Sequence, residues 1–165
     1  MKTTTRKIVF SALLAALTCV LTTVTKIPTP FHGYVNMGDC VVLLCGFTLS
    51  PFYAFLAAGI GSALADLISG YAIYIPATFI IKGLVAVAAY YLYKLCRKKF
   101  KTTLSAIISA IPAEVVMVLG YFVFEAILYG AVPSLVNIPP NALQGAFGVF
   151  GGVILFKIVE KVNIK

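Results

Sequence analysis

The chain has 165 residues, of which 61 % are hydrophobic and 11 % are charged, and its formal net charge is +8. Soluble domains average roughly 45–50 % apolar and about 25 % charged residues, so this composition excludes an ordinary soluble domain and a disordered chain. The length suits a single domain. We therefore expect an integral membrane protein.

Six apolar segments follow one another along the chain. A helix crosses the ~30 Å hydrocarbon layer with about 20 apolar residues. The second segment is too short to cross upright, so we expect the preceding loop to dip into the membrane. The first resembles a signal peptide, but its apolar run continues and favours a retained helix. The pattern predicts an all-α bundle of six transmembrane helices in one domain, 1–165, with spans at about 8–25, 37–49, 52–69, 74–96, 104–129 and 141–159.

Basic residues mark one side of this arrangement. With six spans, 11 of the 13 lysines and arginines fall at the two termini or between spans four and five, which is the same side. The positive-inside rule then places both termini in the cytoplasm. We expect a multi-pass protein in contact with the lipid of a bacterial plasma membrane. Because the charge reports orientation, it requires no nucleic-acid partner.

Catalytic and metal-binding motifs are absent from the sequence. Cys19, Cys40, Cys45 and Cys96 form no CxxC pair, and His32 is the single histidine. No GxxxxGK[ST] motif occurs, so the chain does not itself hydrolyse ATP through a P-loop. We expect no metal, no cofactor and no catalytic residue.

Polar side chains inside the spans are the main functional signal, because ionisable groups are costly in the membrane. Most of them fall in the outer half, which predicts a pocket open to the outside. Glu114 lies deeper, on the same helix face as Tyr121 and Glu125, because eleven residues are close to three whole turns. The candidate substrate-binding residues are Asn36, Asp39, Asp66, Lys82, Glu114, Tyr121, Glu125, Asn137, Asn141 and Gln144.

Structural roles are the alternatives for four of these residues. Asp39 follows Gly38 and is also placed to cap its helix. Asp66 and Lys82 are placed to form a structural ion pair. Glu114 is also suited to act as a protonated side chain that is hydrogen-bonded to a neighbouring helix.

Two outer loops, 26–36 and 130–140, are predicted to cover the pocket. The first contains two prolines that stiffen it and a glycine that lets it turn. Its candidate lid residues are Phe31, His32 and Tyr34. The alternative is that both loops merely connect helices.

Three stretches resemble the substrate-binding S components of energy-coupling factor (ECF) vitamin transporters. They are YVNMGD at 34–39, GIGSALADL at 59–67 and IIKG at 80–83. The likeness is nearest to the riboflavin, hydroxymethylpyrimidine and pyridoxine branch. It implies a six-helix vitamin receptor that associates with a transmembrane coupling subunit and two cytoplasmic ATPases. Ala12 and Ala16 resemble the AxxxA motif with which that family contacts the coupling subunit.

The charges inside the spans bear on the ligand. Four acids stand against Lys82 alone, whereas an anionic vitamin would favour surplus Arg or Lys. Carboxylates and amides suit a small heteroaromatic ring with hydroxyl or amino groups, on which Tyr and Phe can stack. We therefore expect a pyridoxine- or hydroxymethylpyrimidine-like ligand.

Two other classes of membrane protein fit the same pattern of spans. One is a structural protein of the cell-shape MreD type, which needs no ligand pocket. The other is an autonomous proton-coupled transporter that uses Glu114 as its proton site. An enzyme is disfavoured because the chain lacks a recognisable catalytic constellation.

Overall fold

Helices dominate the computed structural model, which describes residues 4–29 and 33–162. The described chain contains seven α-helices, two one-turn 3₁₀ segments at Ala72–Tyr74 and Leu135–Asn137, and two short β-strands. Its helices are α1 (Thr4–Val24), α2 (Asp39–Thr48), α3 (Pro51–Ser69), α4 (Ile75–Cys96), α5 (Thr102–Tyr129), α6 (Ala131–Ser134) and α7 (Ile138–Lys161).

All six predicted segments are helical, and five of these helices are long and apolar enough to cross a membrane. The remaining one, α2, has only 10 residues and a length of about 15 Å. That is half of the hydrocarbon thickness. The first residue of α2, Asp39, is completely buried in the bundle.

The segment 130–140 is not the loop that the sequence predicted. It folds into α6, a 3₁₀ turn and the first turn of α7. Gly130 makes the sharp turn after α5 with a φ of 93°, a conformation that favours glycine. Pro139 and Pro140 stand in the first turn of α7, where a missing backbone N–H costs no hydrogen bond.

The short helix α2 forms the centre of the core. It packs against α7, α4 and α3, and every residue from Asp39 to Phe47 is buried. Val41, Val42 and Leu43 have no exposed surface. Because α2 is apolar on all its sides, it is stable only with helices around it.

Helix α1 lies at the edge of the bundle and packs chiefly on α3. Gly61 of α3 allows close approach: a Cβ there would meet the carbonyl of Ala15 and the side chain of Thr18. On the opposite side, Ala12 and Ala16 are exposed.

A small hairpin joins α1 to α2 at the end of the bundle where α3 and α5 finish. Its strands, β1 (Ile27–Pro28) and β2 (Tyr34–Val35), are antiparallel, and Ile27 pairs with Val35. Thr29 donates its N–H to the Gly33 carbonyl at 2.9 Å. Phe31 and His32, two predicted lid residues, lie outside the described residues.

Candidate ligand-binding site

A narrow polar cavity of about 30 Å³ lies beneath the hairpin. The hairpin, the end of α1, and helices α3, α4, α5 and α7 all contribute to its wall. Its walls lie close together. The lining side chains are predominantly polar or aromatic: Thr22, Thr29, Tyr34, Asn36, Ser62, Asp66, Tyr71, Tyr74, Thr78, Lys82, Tyr121, Glu125, Asn137, Asn141 and Gln144, with the backbone of Gly33.

Eight of the ten predicted substrate-binding residues share this cavity. They come from five separate parts of the chain: Asn36, Asp66, Lys82, Tyr121, Glu125, Asn137, Asn141 and Gln144. Asp39 and Glu114 are not in the wall. They are buried behind it, with 0 % and 4 % of their surface exposed.

Lys82 pairs with Asp39, so the expected ion pair between Asp66 and Lys82 is wrong. The Lys82 Nζ lies 2.5 Å from Asp39 Oδ1, and both side chains are buried. The helix N-cap is Gly38, without a side-chain capping bond, so Asp39 does not cap α2. The partner was misassigned because it depends on how α2 and α4 are rotated in the bundle.

Gln144 connects this ion pair to the hairpin. Its Nε2 donates to Asp39 Oδ2 at 2.5 Å, and its Oε1 accepts the backbone N–H of Asn36 at 2.8 Å. The two bonds fix the orientation of the amide, because only one end can donate. Asp39 thus accepts hydrogen bonds through both carboxylate oxygens.

Tyr34 ties the hairpin to α3. Its hydroxyl donates to Asp66 Oδ1 at 2.5 Å. Burial and the neighbouring Asp66 carboxylate raise the pKa of the Tyr34 hydroxyl well above its usual range. The phenol therefore stays neutral and remains a donor across the physiological pH range.

Aromatic rings form one side of the cavity. The ring centroids of Tyr34 and Tyr71 are 4.7 Å apart, and those of Tyr74 and Phe124 are 5.3 Å apart. Tyr121 shares a 3.0 Å hydrogen bond with Thr78. At these distances the rings contact each other, and four tyrosines of the wall, Tyr34, Tyr71, Tyr74 and Tyr121, are the groups that could contact a flat ligand.

Several buried oxygen atoms in the wall have no hydrogen-bond partner among residues 4–29 and 33–162. They are Asp66 Oδ2, Glu125 Oε2, Ser62 Oγ and Thr29 Oγ1. The other oxygen of Glu125 accepts from the Tyr74 hydroxyl at 3.3 Å. Buried polar atoms are normally paired, so two carboxylate oxygens and two hydroxyls without partners in one cavity are placed to bind polar groups of a ligand.

Glu114 is also without a partner: neither carboxylate oxygen has a hydrogen bond within the described chain. The expected bond to a neighbouring helix is therefore not observed there. Glu114 lies against Gly145 and Gly148 of α7, whose missing side chains leave room for it.

The sequence did not single out Thr22, Thr29, Ser62, Tyr71, Tyr74 or Thr78. Hydroxyl side chains in helices commonly bond their own backbone, as Thr18 does to the Leu14 carbonyl. The Ser and Thr residues therefore carry no distinctive signal of a binding site in the sequence. The spacing of Ser62 and Asp66, four residues apart on α3, was the one available indication.

No group of three or more potential metal ligands occurs in the described residues. The cavity wall instead consists of hydrogen-bonding groups and aromatic rings.

A family model described as "ECF-type riboflavin transporter, S component" matches residues 2–161. The chain belongs to this family. It is therefore a transporter S component rather than an enzyme. Family membership also decides against the MreD-type alternative.

Relatives of this S component are found by sequence and by structure. A Pyrococcus woesei protein described as an uncharacterized protein in the gap 3′ region is 32 % identical over 143 residues, which are 86 % of this chain and 93 % of the relative.

Two solved structures share the fold. The S component of a bacterial ECF transporter has a TM-score of 0.79 at 24 % identity, over 99 % of this chain and 100 % of the other. A biotin S component has a TM-score of 0.68 at 16 % identity, over 98 % and 92 % of the two chains.

Proposed function

We propose that this S component captures an uncharged, hydroxylated heteroaromatic vitamin in the cavity beneath the hairpin. The supporting observation is the group of unpaired acceptors in the wall. Asp66 Oδ2 and Glu125 Oε2 have no donor within hydrogen-bond geometry among the described residues, although the side chains of Thr78 and Asn137 lie beside these carboxylates. Hydroxyl or ring N–H groups of such a vitamin supply donors. The aromatic side of the cavity suits the flat ring.

Riboflavin is the first candidate, since the family is described by that vitamin. Its ribityl chain supplies hydroxyl donors, and its fused rings supply a large stacking face. The cavity of about 30 Å³ is far smaller than the roughly 300–1,000 Å³ that small-molecule sites occupy, so riboflavin would require the hairpin and the walls to move apart.

A single-ring vitamin, pyridoxine or hydroxymethylpyrimidine, is the second candidate. The narrowness of the cavity favours it. Each is a single ring, so it requires less displacement of the walls than a fused ring system. Each also carries at least one hydroxymethyl group, whose hydroxyl can donate to the acidic wall. Titration against both kinds of ring separates the two candidates.

The hairpin is proposed to act as a lid. It lies over the cavity and is held to the bundle by Tyr34 on Asp66 and by Asn36 on Gln144. A ligand reaches the cavity when these bonds break, and the same bonds hold it when they reform.

Uptake is proposed to depend on a coupling subunit and two ATPase subunits, with Ala12 and Ala16 as the contact for the coupling subunit. The sequence has no P-loop of its own. Both alanines are exposed on α1, and small side chains let another helix approach closely. The autonomous transporter, by contrast, needs no partner: it predicts uptake into liposomes that contain this protein alone.

Isothermal titration of the purified protein tests the ligand. The panel contains riboflavin, pyridoxine and hydroxymethylpyrimidine, with biotin and pantothenate as anions. We expect tight binding of at least one of the first three and none of the anions. Tight binding of an anion alone would contradict the proposal.

Glu125→Gln tests the site. It removes the charge at an unpaired acceptor, and hydrogen bonds to charged groups contribute about 1.5–3 kcal/mol, so affinity should fall by roughly 10- to 100-fold. The matched control is Glu160→Gln, which changes an acid at the far end of α7. Equal affinities for the two variants would place the site elsewhere.

A further inference from the structure

The cavity wall has an unbalanced set of charges. Among its described lining residues, Asp66 and Glu125 are the carboxylates and Lys82 is the one cation. The Lys82 ammonium would be the natural partner for a negatively charged group on a ligand, since lysine is a common phosphate binder.

The Lys82 ammonium already forms an ion pair with a residue that lies behind the cavity wall. Asp39 Oδ1 lies 2.5 Å from Lys82 Nζ, on the side away from the cavity. Opposite charges attract far more strongly in a buried site than in water, so the pair does not separate readily. Gln144 holds the other Asp39 oxygen and fixes the carboxylate in place.

Helix α7 leaves room for Asp39 because residue 148 is a glycine. A Cβ on Gly148 would stand 2.8 Å from the Asp39 Cβ and 3.0 Å from Glu114 Oε1. Two acidic side chains thus lie together behind the single lysine. Among the described lining residues no positive charge is left uncompensated, while two carboxylates face the cavity. Lys26 is not in the wall; its ammonium lies over the rings of Tyr34 and Tyr71, 5.9 and 5.7 Å from their centroids.

We propose that Asp39 is a specificity-determining residue: by neutralising Lys82, it makes the cavity reject the phosphate esters of the vitamins whose free alcohols it binds. This inference rests on the proposed function. A phosphate group that passes the hairpin meets Asp66 and Glu125 and finds no uncompensated cation among the described lining residues. Free alcohols carry no charge and avoid that repulsion.

The test compares alcohols with their esters in the purified protein. The probes are riboflavin with riboflavin 5′-phosphate, and pyridoxine with pyridoxine 5′-phosphate. In the native chain we expect the ester of the vitamin that binds to be weaker than its alcohol by about 100-fold or more, which is a difference of two decades in Kd.

The deciding variant is Asp39→Asn with Glu114→Gln. Both changes are needed because Glu114 lies beside Asp39 and would otherwise replace it as the partner of Lys82. With the ammonium released, the ratio of ester Kd to alcohol Kd should fall by about tenfold or more. An unchanged ratio in the folded double variant overturns the proposal.

The matched control adds Lys82→Met to the double variant. This triple variant has the same cavity shape but no cation, so its ratio should return towards that of the native chain. A gain in ester binding that persists in the triple variant shows that space rather than charge was released, and it overturns the proposal.

If the variants do not fold, the native chain alone can still overturn the proposal. Equal binding of ester and alcohol by the native chain overturns the role of Asp39 and leaves the proposed function standing. Binding of none of the probes contradicts the proposed function, and this inference fails with it.

Discussion

Gly148 is the residue on which the buried charges depend. Its Cα lies against Asp39 and Glu114, and an added Cβ would stand 2.8 Å from the Asp39 Cβ. Gly148→Ala therefore overpacks a buried contact between α2 and α7, and we expect it to lower the free energy of unfolding by about 1–3 kcal/mol. Thermal unfolding of the purified protein measures the loss.

The control for this prediction is Ala146→Leu, two residues away on the exposed side of α7. It adds more atoms than Gly148→Ala but adds them outside the bundle, so the unfolding temperature should change little. A larger loss for Ala146→Leu than for Gly148→Ala would contradict the packing described for α7.

At this same scale, the sequence identified most of the cavity's charged and amide residues but not their partners. Ionisable groups in apolar runs are conspicuous because they are costly there. Asp39 and Lys82 are 43 positions apart and meet only because α2 packs against α4. Nothing in the local pattern of either helix specifies that meeting.

Helix α1 has an exposed side that the bundle does not use. Only 22 % of its apolar window is buried, against 50 % for the α4 span, so most of its surface is available to lipid or to another helix. We expect Ala12→Leu with Ala16→Leu to block close approach of a coupling subunit. Co-purification of that subunit should be lost while vitamin binding by the isolated chain is retained.

Ala142→Leu with Ala146→Leu on α7 is the matched control for this element. Both alanines are exposed and four residues apart, as on α1. If the α7 variant loses the partner and the α1 variant keeps it, the coupling contact lies on α7 instead.

The elements themselves were largely predictable, because long apolar runs and prolines define helices in a membrane protein. The segment 130–140 was misjudged because its two prolines suggested a loop. Proline is equally acceptable in the first turn of a helix, and the structure uses it there. The predicted span 37–49 is three residues longer than α2. Where apolar residues continue past the end of a helix, hydropathy does not mark the residue at which the helix ends.

At the scale of the whole molecule, the distribution of basic residues predicts which end of the bundle faces the cytoplasm. Lys98, Lys99 and Lys101 are exposed in the connection between α4 and α5, far along the chain from the hairpin. We expect Ile27→Cys to react with a membrane-impermeant maleimide in intact cells, and Lys99→Cys to react only after permeabilisation. Both are made in a chain with Cys19 and Cys96 replaced by alanine. The reverse labelling pattern would invert the protein and move the cavity mouth to the cytoplasmic side.

The position of α2 limits how this molecule can release what it binds. Nine consecutive buried residues, from Asp39 to Phe47, fill the bundle between the cavity and its basic end. Interiors of this kind are close-packed, so a passage through them would require the core to come apart. A ligand therefore leaves through the mouth by which it arrived. We therefore expect delivery to the opposite side of a membrane to depend on movement of the protein itself, with a rate set by that movement rather than by diffusion along a channel.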